Sequence, residues 1–209
     1  MKATSYLILV VIFFSCQKEK IRNYEEENTY QIVTSLLDEY KSYIVLPPML
    51  TRPPGAKNQK LTIQDSLWIY KYHYNQLINK KTIAVNKNIF GVEKNYSFRG
   101  KCSIVDDKLL EKFNSLKENK KIDVSKVTIY GKDTLIQYKE EFKKLPWSGF
   151  NKMDLLLNFS RIAFNKEYNK AIIIVGASKG RLNGVSTLLY LEKVNYVWQI
   201  KCQKGLSIS

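Results

Sequence analysis

Apolar positions recur along this chain with two periods, and the change from one to the other divides it. Between Tyr24 and Lys41, Tyr30, Ile32, Val33, Leu36, Leu37 and Tyr40 have the spacing of one helix face. Acidic residues at the start of that stretch and Lys41 at its end suit the helix dipole. From about Thr62 to Asn79, Ile63, Leu67, Tyr70, Tyr74 and Leu77 form a second amphipathic stripe. Between the two, Pro47, Pro48, Pro53, Pro54 and Gly55 spell an extended loop. Lys81–Asn86 and Asn95–Val105 read as strands. Asp106 caps a third helix that ends near Lys120 and carries Leu109, Leu110, Phe113 and Leu116 on one side.

After mixed signals between Val127 and Trp147, the pattern turns to β. Leu155–Phe164, Ala171–Gly176, Val185–Lys193 and Tyr196–Cys202 are four predicted strands joined by turn-like segments. Ala171 to Val175 has no polar face, which predicts a central strand. In the last strand the alternation assigns Tyr196, Trp198, Ile200 and Cys202 to one face, and Val194-Asn195 is short enough for a tight hairpin. The expected fold is α+β, with N-terminal helices packed on a C-terminal antiparallel β-meander of about four strands.

The first 23 residues change the picture of where this domain sits. Lys2 precedes nine apolar residues, Tyr6 to Phe14, too few to span a bilayer and the right length for a secretory signal. Ser15-Cys16 closes that run and resembles the lipobox of bacterial lipoproteins, in which the Cys sulfur takes a diacylglycerol and becomes the mature N-terminus. That reading divides the chain into a signal peptide (1–15), a lipidated Cys16 with a short tether (16–23) and one α+β domain (24–209). Each acyl CH₂ buried in the bilayer contributes about 0.8 kcal/mol, so two or three chains on Cys16 make a durable anchor. Gln17-Lys18-Glu19-Lys20 loosely resembles the signal that sends some Bacteroidetes-type lipoproteins to the cell surface.

With 209 residues and 44% hydrophobic content, the chain can bury a core of its own. Its formal charge of +15 raises nucleic-acid binding, but only five of the 34 basic residues are Arg, and the lysines form no block. The charge reads as a solvated face, and no nucleic-acid partner is expected. Beside Cys16 stand Cys102 and Cys202. An envelope location permits a bridge between them, and buried free thiols are the other reading.

Several segments carry the outline of chemistry. Gly176-Ala177-Ser178-Lys179-Gly180 has the G-x-S-x-G form of a nucleophile elbow, but that fold takes its acid and His from later in the chain. Neither His nor Asp follows Ser178. As a dinucleotide loop the same stretch lacks its third Gly, since Leu182 stands there. The expectation is a Gly-containing loop between strands. His73 is the single histidine and has no Cys, Asp or Glu one turn away, so no metal and no cofactor is expected. Asp106 and Asp107 are adjacent, which suits capping better than acid–base pairing. Ser160-Arg161 interrupts an apolar strand and makes a candidate binding pair. Trp68, Tyr72, Trp147 and Trp198 are candidates to stack on a sugar or peptide.

The stretch from Phe159-Ser160-Arg161-Ile162-Ala163-Phe164-Asn165, through Lys170-Ala171 and Leu191-Glu192-Lys193, to Trp198 resembles a group of small envelope lipoproteins of Bacteroidetes-type bacteria. The likeness covers about the last 50 residues. It implies an envelope lipoprotein and supplies no activity; the expected location is the outer membrane, facing the periplasm or the surface, with lipid on Cys16 as the anchor. The leading expectation is non-enzymatic binding of a protein or glycan ligand. The alternatives are an envelope hydrolase acting on glycan or peptide, and an immunity or inhibitor lipoprotein.

Overall fold

Strands β5 (Leu155–Phe159), β6 (Ala163–Phe164), β7 (Lys170–Gly180), β8 (Asn183–Val194) and β9 (Val197–Ile208) build most of a seven-strand mixed sheet. Two short strands, β1 (Thr82–Val85) and β4 (Thr134–Gln137), complete it in the order β4-β1-β5-β7-β8-β9, with β6 beside β7; β2 (Asn88–Ile89) and β3 (Lys120–Lys121) pair antiparallel in a separate two-stranded sheet. The structure, a computed structural model, describes residues 24–41, 62–98, 102, 104–144, 152–180 and 183–208. Cys16, the signal, the tether, the Pro-rich loop and Trp147 lie outside those residues.

The α+β class and the C-terminal antiparallel meander, β7-β8-β9, are as expected. The four-strand estimate is not: β1 pairs in parallel with both β4 and β5. Both added strands are only four residues long. β1 has the unbroken apolar face-to-face burial of a parallel strand rather than an alternation. Asn95–Phe98 is not a strand; its backbone is held by a side chain, with Tyr96 N–H donating to Asn114 Oδ1 and Asn114 Nδ2 donating back to Tyr96 O.

Helix α1 (residues 24–41) covers one face of the sheet. Ile32, Val33, Leu36, Leu37 and Tyr40 pack there against Ile83, Leu157, Ile173, Leu189 and their neighbours. Each such side chain contributes about 1.5–3 kcal/mol on burial. The opposite face is covered by α3 (Asp107–Ser115), whose Leu109 and Phe113 meet Ile172, Ile174, Leu188 and Tyr190. Asp106 caps α3 as predicted, accepting from Lys108 N–H at 2.9 Å. Farther along that face, Phe142 of the short α4 (Glu141–Lys144) packs on Ala84 and Leu156.

The second stripe behaves differently. In α2 (Ile63–Ile78), Ile63, Leu67, Tyr70 and Tyr74 are 81%, 62%, 70% and 53% exposed, so these four residues of the predicted face are turned to solvent and not packed on the meander.

Two irregularities set which residues face α1. The single strand expected over Leu155–Phe164 is split at Ser160. Phe159 pairs with Val175 and Ala163 with Ile172, so three residues stand opposite two. The fully buried Ser160 closes this bulge: Ile174 N–H donates to its hydroxyl at 2.8 Å, and the hydroxyl donates to Arg161 O at 2.9 Å. The extra residue shifts the phase, so Phe159, Ile162 and Phe164 share the α1 face. An unbroken strand would have aimed Arg161 into that core. Between β8 and β9 the register shifts at Tyr190 and Leu191 of β8, whose β9 partners are Cys202 and Ile200. Trp198 and Ile200 therefore face α1 while Cys202 faces α3, against the single-face assignment from alternation. Cys102 and Cys202 form a disulfide.

The G-x-S-x-G stretch is not a loop. It continues β7, with Gly176, Ala177 and Ser178 paired to Ser186, Val185 and Gly184. The long ladder with β8 overrides the low strand preference of Gly and Ser.

Candidate functional site

The side chains of α1 that do not enter the core form one wall of a groove of about 560 Å³. Its other walls come from the segment after a short 3₁₀ turn (Val124–Lys126) and from the tip of the β8–β9 hairpin. Tyr30, Tyr130, Tyr196 and Trp198 line it, together with Gln31 and the carboxylates Glu27 and Asp38. A smaller hollow of about 370 Å³ adjoins it beyond Tyr30 and Lys126, which line both.

The groove is held by α1 side chains reaching outward. Thr34 Oγ1 accepts from Thr128 N–H at 3.2 Å, Ser35 Oγ donates to Trp198 O at 2.9 Å, and Lys41 Nζ donates to Tyr130 O at 2.8 Å. Glu26 pairs with Lys126 at 2.7 Å, and that ammonium sits 5.6 Å from the centre of the Tyr30 ring. The Glu26 carboxylate, first by its hydrogen bond and then by its charge, raises the Lys126 ammonium above the usual lysine range. Ser125 accounts for the Asp123 carboxyl, which two hydrogen bonds hold below the ordinary carboxylate range.

The hairpin tip is conformationally costly. The turn is Asn195-Tyr196, one residue later than the sequence suggested, and both residues have positive φ, 49° and 64°. Glycine is the usual occupant of the second position in such a turn, and an aromatic residue there is an outlier. Tyr196 is nonetheless displayed 93% exposed at the groove edge. Trp198, two residues on, is 4% exposed. Lys193 Nζ lies 5.2 Å from its ring, and Phe164 packs beside it. Burial lowers the Lys193 ammonium below the usual lysine range.

Two polar atoms of groove-lining residues have no partner: the indole Nε1 of Trp198 and the amide Oε1 of Gln31, both shut off from solvent. A buried polar group left unpaired costs about 1–3 kcal/mol.

The residues singled out in sequence fall elsewhere. Ser160 is committed to the bulge. Arg161 donates from Nη1 to Glu118 O at 3.1 Å and from its amide to Phe90 O, tying a neighbouring loop to the sheet. Trp68 stands half-exposed on α2 and does not line the groove. Among the candidate aromatics whose side chains are described, Trp198 does. Tyr30, Tyr130 and Gln31 carry no motif, and only the fold brings them together. Tyr196 had one legible signal, an aromatic beside Asn where a hairpin must turn.

A second cavity, about 490 Å³, lies beside the disulfide and takes Asp107 and Glu111 from α3, one helical turn apart. Both carboxylates are exposed, so neither is desolvated in the way that separates acid from base in a catalytic pair. Among the described residues, no group of three His, Cys, Asp or Glu gathers as a metal site, and no helix is long and apolar enough to cross a membrane. Comparison with protein-family models, curated proteins and solved structures gives no match.

Proposed function

We propose that this chain is an outer-membrane lipoprotein of the cell envelope, anchored through lipid on Cys16, that binds a ligand in the groove along α1 and performs no covalent chemistry on it. The observation that carries the binding reading is the groove's construction. Three tyrosines and two unpaired buried polar atoms meet where a hairpin tip spends conformational energy to display Tyr196. Strained, exposed residues of this kind collect at ligand contacts. The Cys102–Cys202 disulfide supports an oxidising compartment outside the cytosol.

Two measurements test the two halves of this reading. Metabolic labelling with an alkyne fatty acid should tag the wild type and spare Cys16→Ala; equal tagging of both removes the anchor. Hydroxyl-radical footprinting should find Tyr130 and Tyr196, 61% and 93% exposed, protected in intact cells and reactive in the purified chain. Equal reactivity in the two settings removes the occupied groove.

A further inference from the structure

We propose that the ligand of the α1 groove is a neutral oligosaccharide. This rests on the binding reading above and names the chemical class that the site selects.

The backbone around the groove is already used. Thr128 N–H, Tyr130 C=O and Trp198 C=O are each taken by an α1 side chain. A peptide added as a strand needs a run of free N–H and C=O groups, and each of these three bonds interrupts such a run along the walls. Recognition therefore falls to side chains. Those lining it are the rings of Tyr130 and Tyr196, flat surfaces with a polar tip, Tyr30, whose ring lies under the Lys126 ammonium, and the acceptors Glu27, which already takes Gln31 Nε2 at 3.1 Å, and Asp38, paired with Lys41 at 2.9 Å. Rings that stack on the apolar face of a sugar, with acceptors beside them for its hydroxyls, suit a carbohydrate.

The two unpaired atoms narrow the choice. Trp198 Nε1 is a donor only, and Gln31 Oε1 is an acceptor only. A hydroxyl group accepts and donates at once, so sugar hydroxyls can satisfy both. A carboxylate or phosphate can satisfy the indole alone and leaves the Gln31 oxygen without a donor. Both atoms lie beneath the lining, so occupancy requires a side-chain shift of the size common on binding. Tyr196, at the exposed tip, is the lining residue least held by its surroundings.

The test uses the full chain in detergent micelles with ¹⁵N-labelled tryptophan. Its three tryptophans give three indole signals, and Trp198→Phe identifies the one that matters. Cellohexaose, laminarihexaose, xylohexaose, maltohexaose, mannohexaose and chitohexaose are titrated to millimolar concentration. At least one should move the Trp198 signal saturably. Gln31→Ala and Tyr130→Ala should each weaken that binding about tenfold, equivalent to about 1.4 kcal/mol. No shift with any of the six, or a shift with unchanged affinity in both variants, overturns the assignment. If the sugars are silent while Tyr130 and Tyr196 are protected in cells, the sugar class fails and the binding reading stands. If the sugars are silent and the tyrosines are unprotected, both fail.

Discussion

Replacing Tyr196 by Gly should make the protein more stable and the groove less useful. At φ 64° an L-residue carries a penalty of about 1–2 kcal/mol that glycine does not. Glycine gives back about 0.4–1 kcal/mol by loosening the unfolded chain. Almost no burial is lost, because the side chain is 93% exposed. The net expectation is a gain of about 0.5–1 kcal/mol, which raises the thermal midpoint by about 1–4 °C in a chain of this size. Tyr196→Ala is the control. It removes the same ring, keeps the backbone strain, and should stay within about 0.5 kcal/mol of wild type. Thermal unfolding of the full chain in micelles, disulfide intact, reads both. In the indole titration, both variants should bind sugar more weakly than wild type. A midpoint that falls in Tyr196→Gly would refute the claim that the tip is strained, and with it one support for the site.

Four further expectations follow from packing and charge. Ser160→Ala leaves the buried Ile174 N–H without an acceptor and should cost about 1–3 kcal/mol, with faster amide exchange at Ile174; unchanged exchange there would contradict the bulge. Gly91→Ala would place a Cβ 1.8 Å from Lys117 O and should cost about 3 kcal/mol in denaturant unfolding, whereas Gly176→Ala, whose nearest neighbour is at 3.7 Å, should be close to neutral. Leu67→Ser on α2 should stay within about 0.5 kcal/mol because the side chain is 62% exposed; a larger loss would mean that the stripe is covered. The Asp123 carboxyl lies below its ordinary value in the fold, so its contribution to stability is present above the unfolded pKa of about 4 and is lost as pH falls through the lower, folded value. Carbon-13 titration should find that depressed pKa, and Ser125→Ala should move it back up.

The fold was legible where one element decides its own fate. The stripe of α1, the Asp106 cap and the central place of the all-apolar Ala171–Val175 segment need only local pattern and burial, and all three are found. Strand β4 was not legible because four residues, TLIQ, carry too little periodicity and join the sheet in parallel, a pairing that no hairpin signal announces. The α2 stripe shows the opposite failure. Its period is right, but a period says that one face is apolar without saying that the fold covers it. The candidate site was least legible of all. Tyr30, Tyr130 and Tyr196 lie on a helix, a coil segment and a turn, and ordinary tyrosines in a chain with 14 give no reason to group these three.

The register shift in β9 ties these features together. With strict alternation, Trp198 and Cys202 would lie on one face, and the disulfide would compete with the groove for it. The shift between Ile200 and Cys202 sends the two to opposite faces. Strand β9 lies at the end of the sheet order and pairs only with β8 among the described residues. It is then held from both sides: Ser35 of α1 donates to Trp198 O on one face, and Cys102 bonds Cys202 on the other. An edge strand with a single neighbour is the least secured part of a sheet, and here it carries the hairpin tip that forms a wall of the groove. The disulfide holds the strand six residues beyond Tyr196 and on the opposite face, so the covalent link that secures β9 lies outside the groove wall that Tyr196 and Trp198 form.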